Sequence, residues 1–363
     1  MELQVRDSLI RQLPELTPML TTIDISQTSV TSFSLSSCIA SLPLLYKLTL
    51  RECPALFSDK DAAAAVATKR LLLRLSRHGC LRALDVSNNQ SLTDDMWREA
   101  LTLSPLAQAE EVDGGEVGEG EVHVGGESAA AVETVQEEDI GSKEEPKVAL
   151  PPQTKGKIIR WTSLDISFNE KMTDVSIAPL LLRLPNLEQF QMQSMSINVT
   201  DAILVEVLQH KKRLECLNIS GCCHLNGSGL EAVLKACKTL VSLKVSGLNS
   251  MQGLTQESMR IISTLDFLVT LDVSANKTIT LDFLSTLLDQ SKHLQCLNLN
   301  GVPEVNEEMI TGMRKLHKNI KVNWNRPPAF LKRPKRTFLA PVKNDKKGKK
   351  KGGKKKGGKK KKK

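Results

Sequence analysis

With 363 residues, 40% of them apolar but only 3% aromatic, the chain can bury a sizeable core of aliphatic side chains with few large rings. Its formal net charge of +9 divides into +17 from Lys332 to Lys363, −11 from Leu106 to Leu150 and +3 over the remainder, so the body of the chain is nearly neutral. No stretch approaches the roughly 18 apolar residues of a membrane helix, and the start Met1-Glu2-Leu3-Gln4-Val5-Arg6-Asp7 lacks a basic segment followed by an apolar run. Eight cysteines at scattered positions do not form a secreted disulfide framework, which sets aside the membrane-spanning and secreted classes. An intracellular protein of the nucleus, nucleolus or cytoplasm is expected.

In chain order, the pattern Leu-x-x-Leu-x-Leu-x-x-(Asn or Cys) recurs about ten times. A weak copy at Leu20, Ile23 and Ile25 is followed by Leu45, Leu48, Leu50 and Cys53. The stretch Phe57–Arg77 reads as a longer helix, rich in Ala and Leu, that Ser58 or Asp59 can cap. Further copies are Leu81, Leu84, Val86, Asn89, then Trp161, Leu164, Ile166, Asn169, then Leu187, Phe190, Met192. The clearest is Leu214, Leu217, Ile219, Cys222; Leu240, Leu243, Val245 and Leu268, Leu271, Val273, Asn276 and Leu294, Leu297, Leu299 follow, with a weak last copy at Ile320, Val322 and Asn325. Measured on the second apolar residue, with Ile320 as the last, the steps are 25, 36, 80, 26, 27, 26, 28, 26 and 23 residues. Repeats of this kind run at roughly 20–29 residues, so the steps of 36 and 80 mark insertions.

Between copies, Thr93, Thr173, Asn226, Thr280 and Asn306 stand nine residues after the second apolar residue, with Thr200 and Thr255 slightly displaced. Such side chains cap helix starts, and the acids that follow several of them suit the first turn, where the helix dipole favours negative charge. One repeat is therefore strand, turn, capped helix of about ten residues and return loop. Leu217 and Ile219 share one strand face, and Leu230, Val233 and Leu234 share one helix face. Neither stripe can be buried by one repeat alone; stacked neighbours bury both, giving a curved parallel sheet on a concave side and helices on a convex side. The Asn, Cys or Thr that closes each strand is expected to cap backbone groups in the turn and form a ladder along the stack. The chain is thus expected to be an α/β leucine-rich repeat solenoid divided as 1–104 (N-terminal cap and first repeats), 105–158 (acidic insertion), 159–328 (remaining repeats) and 329–363 (polybasic tail).

The insertion carries thirteen acids against Lys143 and Lys147 between Leu106 and Leu150, is Gly-rich, and is expected to be disordered. After Pro327-Pro328, Ala329-Phe330-Leu331 can cap the last repeat. Then come Lys332, Arg333, Lys335 and Arg336, and further on Lys346, Lys347, Lys349, Lys350 and Lys351 through to Lys363. Like-charge blocks with glycine spacers behave as interaction arms, and phosphate backbones match them because counterion release needs no fixed geometry. The expected partners are RNA, a ribosomal surface, chromatin or another polyanion, with Lys332-Arg333-Pro334-Lys335 also fitting an import signal. No aromatic follows Phe338, so base stacking cannot supply sequence preference.

The stretch Leu214, Leu217, Ile219, Cys222, Leu225, Asn226, Gly229, Leu230, continuing to Leu234, Cys237 and Leu240, resembles the cysteine-containing class of leucine-rich repeats. That resemblance implies a ribonuclease-inhibitor-like fold, found in the substrate-receptor half of F-box proteins and in related adaptors without enzymatic activity. No F-box is read ahead of the repeats, so what it implies is either a binding adaptor or a ubiquitin-ligase substrate receptor that borrows its F-box from an adaptor.

On the concave face the residue between the second and third apolar positions is expected to look outward: Asp24, Thr49, Asp85, Asp165, Gln191, Asn218, Lys244, Asp272, Asn298 and Lys321. Its first half is mildly acidic, which suits a protein or peptide partner, such as a basic one, better than phosphate. Phe168 and Trp324, late in their turns, are candidate anchors. Six histidines are scattered, Cys222-Cys223-His224 has no second ligand pair at zinc spacing, and no glycine-rich phosphate loop opens a helix. No cofactor, no metal and no catalysis are expected, and the chain should be monomeric on its own.

Overall fold

In the computed structural model, residues 6–58, 61–102, 158–195, 199–248 and 253–325 are described. The acidic insertion, the Ala329-Phe330-Leu331 cap and the basic tail lie outside them. Met1–Asn325 forms one compact unit.

Ten strands of three residues form one parallel sheet in chain order: β1 (Thr22–Asp24), β2 (Lys47–Thr49), β3 (Ala83–Asp85), β4 (Ser163–Asp165), β5 (Gln189–Gln191), β6 (Cys216–Asn218), β7 (Ser242–Lys244), β8 (Thr270–Asp272), β9 (Cys296–Asn298) and β10 (Lys321–Asn323). Nine α-helices stand among the described residues: α1 (Asp7–Leu16), α2 (Ser32–Ala40), α3 (Ala62–Arg77), α4 (Asp94–Thr102), α5 (Asp174–Leu182), α6 (Gly227–Ala236), α7 (Gln256–Ser263), α8 (Leu281–Gln290) and α9 (Glu307–Leu316). From α1 to α8 the helical segments pack on one another in the same order as the strands. The recurrent leucine explains this arrangement. In every strand the central residue is buried, and those of neighbouring strands lie side by side: Leu84 against Leu164, Phe190 against Leu217, Leu271 against Leu297. Each such side chain contributes about 1.5–3 kcal/mol by leaving water. Leu230, Val233 and Leu234 of α6 are buried from the other side of the same core.

The step of 80 residues does not interrupt the sheet. β3 pairs directly with β4, and Val86 N–H donates to Asp165 O at 2.9 Å. Trp97 of α4, before the insertion, and Trp161, after it, are both fully buried and meet edge to face, with centroids 6.3 Å apart and planes at 74°.

The expected ladder exists. Asn89 Oδ1 accepts from Cys53 N–H at 2.8 Å while its Nδ2 donates to Leu50 O and Val86 O at 2.9 and 2.8 Å. Asn169 caps Asn89 N–H in the same way, and Asn276 caps Leu248 N–H. Where cysteine stands instead, the thiol donates backwards: Cys53 Sγ to Ile25 O at 3.1 Å and Cys222 Sγ to Met192 O at 2.9 Å. Burial pushes the Cys222 thiol up to about 11, which keeps it protonated and donating.

The helix caps are largely as expected: the side chains of Thr173, Asn226, Thr255, Thr280 and Asn306 accept first-turn amides. The acid after the cap does more than face a helix dipole. Asp94 accepts from Thr173 N–H at 2.8 Å and from its hydroxyl at 2.5 Å, Asp174 accepts from Thr200 N–H at 3.0 Å, and Asp201 accepts from Asn226 N–H at 2.9 Å. Each helix start is thus tied to the cap of the next repeat. Burial raises the carboxyls of Asp174 and Asp201 above the ordinary aspartate value, against the pull of those hydrogen bonds.

Three expectations are corrected. The cap of α3 is Asp61, which accepts from Ala64 N–H at 2.7 Å, rather than Ser58 or Asp59. After Thr200 the chain forms a π-helix, Ile203–Val207, and a 3₁₀ turn, Leu208–His210, in place of an α-helix. The last strand is centred on Val322, not Ile320: Val322 pairs with Leu297, and Ile320 closes the preceding turn through its N–H to His317 O, as Leu268 does to Leu265 O. Ile320 and Val322 stand two apart, so alternation alone cannot choose between them. Ladder pairing does.

Beyond the 3₁₀ turn, Lys211 is buried, and its Nζ donates to Leu181 O and Leu184 O at 2.6 and 3.0 Å. It adds a donor to carbonyls at the end of α5, and burial draws its pKa down to about 8.

Candidate functional site: the open face of the sheet

A three-residue strand whose central side chain points into the core turns its two neighbours outward. The open face therefore carries two rows. The second holds Asp24, Thr49, Asp85, Asp165, Gln191, Asn218, Lys244, Asp272 and Asn298 in adjacent register. By the corrected register it ends on Asn323, and Lys321 belongs to the first row beside Cys296.

These side chains have a structural task that the sequence reading missed. Asp24, Asp85, Asp165 and Asp272 each accept, through Oδ1, the backbone N–H of the serine two residues on, at 2.9–3.0 Å. In three of them the serine hydroxyl adds a second bond at 2.6 Å. Asn218 and Asn298 cap Ser220 and Asn300 in the same way. The signal was present as a recurring Asp-x-Ser, and its physics is the local turn in which an acidic side chain mimics backbone. One oxygen of each aspartate is thus committed to ending the strand. Asp272 Oδ2 accepts from Asn298 Nδ2 at 2.9 Å.

The acidic half is partly compensated. The Ser26 hydrogen bonds hold the Asp24 carboxyl below its ordinary value, with Lys47 nearby helping. Asp165 is pushed up by burial, further by its neighbour Asp85, and is eased by the Ser167 bonds and Arg51. The acidic half is therefore a modest negative field with Lys47 and Arg51 set in it.

Phe168 is half-buried, with backbone φ of 60°. The same repeat position is left-handed in the other repeats too, holding Gln27, Glu52, Asn88, Ser194 and Ala275 as well as Gly221, Gly247 and Gly301, although such backbone suits glycine best. A phenylalanine there carries a cost of about 1–3 kcal/mol. Trp324 is partly buried against the end of the core and stands at the third apolar position of the last repeat. The structure thus gives it a packing role, and does not bring it beside Phe168. Among the described residues no three His, Cys, Asp or Glu side chains come together as a metal site, and no helix is long and apolar enough to cross a membrane. Lys332, Arg333, Lys335, Arg336, Lys346, Lys347, Lys349, Lys350 and Lys351 lie outside the described residues.

A leucine-rich repeat family model matches residues 210–234, the span holding β6 and most of α6. No curated protein matches the sequence. Among solved structures, the Rad7–Elc1 complex of yeast is similar at 13% identity over 88% of this chain and 83% of that chain, with a TM-score of 0.38. An internalin from Listeria monocytogenes is similar at 13% identity over 88% and 77%, with a TM-score of 0.45. A complex of latrophilin 3, Unc5D and the leucine-rich repeats of FLRT2 is similar at 11% identity over 84% and 83%, with a TM-score of 0.34. None of the three bears on what this chain binds. Ten strands in register on a recurrent leucine, asparagine and cysteine ladders between them, and the family match on the sixth repeat make this chain a leucine-rich repeat protein.

Proposed function

We propose that the chain is a binding scaffold without catalytic activity of its own: the open sheet face takes a protein or peptide partner, and the lysine-rich tail holds a polyanion such as RNA. The observation that supports this reading is the open face itself, where β1, β3 and β4 present Asp24, Asp85 and Asp165 beside Lys47 and Arg51. The tail reading rests on composition, eighteen Lys and Arg against one acid from Lys332 onward.

The two surfaces are separable by experiment. In a nuclease-controlled co-purification beside a chain ending at Pro328, truncation should abolish retention on poly(U) and leave protein partners in place. The intact chain should show a log–log salt slope of about −4 to −5 if about six tail charges meet phosphate. Asp85→Asn with Asp165→Asn keeps the turn-capping oxygen and removes the charge; it should weaken the protein partner and leave poly(U) retention unchanged. Poly(U) retention that survives truncation would sink the tail assignment, and partner retention indifferent to the Asn pair would sink the sheet-face assignment. Co-purification of Skp-type or cullin-type proteins would favour a ubiquitin-ligase receptor instead.

A further inference from the structure

On the opposite side of the core from the open face, α2 and α3 frame a groove with a volume of about 430 Å³. Its walls are apolar over most of their length: Phe33 from α2, and Ala62, Ala63, Val66 and Ala67 from α3. The inward residues of α2, Leu35, Cys38 and Ile39, are buried, yet Phe33 is 56% exposed and Val66 51% exposed. The groove stays open because α3 presents alanines where a larger side chain would fill it.

One end of the groove is cationic. Arg70 and Arg74 line it, with no carboxylate among the described lining residues. Arg74 Nη1 donates to Ser36 O at 2.7 Å, and burial followed by the neighbouring Arg70 charge lowers its pKa. A third guanidinium, Arg11, lies 5.4 Å over the Phe33 ring, with Asp7 within its field. Ser36, also on the lining, is 3% exposed, and its hydroxyl meets no hydrogen-bond partner among the described residues. Such a buried, unpartnered hydroxyl is costly where it stands.

The walls are helices, whose backbone groups are already bonded, so an extended peptide would find no edge to pair with. An occupant must bring a satisfied backbone, an apolar stripe and negative charge. We propose that this groove docks an acidic amphipathic helix of a partner protein, its apolar stripe against Phe33 and Val66 and its carboxylates at Arg70 and Arg74. This is the helix-in-groove mode of recognition, on a surface separate from the sheet face.

The test uses the full chain and a labelled 16-residue helical peptide with leucines on one face and glutamates on the other, followed by anisotropy. The glutamate peptide should bind at least about tenfold more tightly than the same peptide with lysines, since like charges across an interface cost several kcal/mol. Val66→Glu should weaken the glutamate peptide by about tenfold or more and strengthen the lysine peptide, a reversal that loss of folding cannot produce. The tail contributes equally to wild type and variant, so the difference reads the groove. Equal binding of the two peptides, or indifference to Val66→Glu, would overturn the proposal. So would a tenfold gain on deleting 105–157, which would make this chain's own acidic segment the occupant in place of a partner. The Asn pair on the sheet face should leave this binding unchanged.

Discussion

Replacing Asn89 by alanine lowers stability by about 2–6 kcal/mol, because two buried backbone groups lose their partners at about 1–3 kcal/mol each. The side chain is 3% exposed and is the acceptor for Cys53 N–H and the donor to Leu50 O. Val86 O keeps Asn169 Nδ2 as a second donor at 3.1 Å, so it is not orphaned. Asn89→Asp does not rescue the loss: it keeps an acceptor for Cys53 but sets a carboxylate against Leu50 O. Asn298→Ala, half-buried on the open face, should cost under about 1 kcal/mol, in the range of an exposed polar contact. Urea titration of the three variants checks the series. Equal small losses at Asn89 and Asn298 would mean that the ladder does not hold the turns.

Trp161→Ala should cost about 3–5 kcal/mol, the usual loss for emptying a large buried aromatic site. Trp161→Phe should cost much less. It keeps most of the ring volume and removes an indole N–H that, like that of Trp97, meets no acceptor among the described residues. Because the two rings touch edge to face, Trp97→Ala and Trp161→Ala should not add: contacting residues couple by about 0.5–3 kcal/mol. A double-mutant cycle followed by denaturant unfolding measures that coupling. Strict additivity would place the two tryptophans in separate cores and divide the protein at the insertion.

The fold was legible because one residue type at one spacing does one physical task. The central apolar residue of nine strands, and the Asn and Cys ladder, follow from a period that no other architecture buries. The tenth strand was misread because Ile320 and Val322 satisfy the same alternation, and only cross-strand hydrogen bonds separate them. The cap of α3 escaped because Ser58, Asp59 and Asp61 are equally good caps by type. Nothing in Ile203–Val207 announces a π-helix.

The site was legible as a row of positions and less so as a set of roles. Asp24, Asp85, Asp165 and Asp272 were read as outward ligands, whereas half of each carboxylate ends its own strand. The Asp-x-Ser spacing was visible, but a carboxylate that caps and a carboxylate that binds look identical in a sequence. The link from Asp94 to Thr173 spans 79 positions and needed the stacked repeats before it could be seen. The groove beside Phe33 and Val66 needed them as well, since its walls come from two different repeats.

The most direct test of one continuous slab is to replace residues 105–157 by a short Gly/Ser linker and follow unfolding in urea by tryptophan emission and far-UV circular dichroism together. The stacked sheet predicts a single cooperative transition, coincident in both signals and close to that of the intact chain, since β3 and β4 pair without help from the missing segment. Two separated transitions, or collapse of the emission change from Trp97 and Trp161, would show that the repeats before and after the insertion do not share a core.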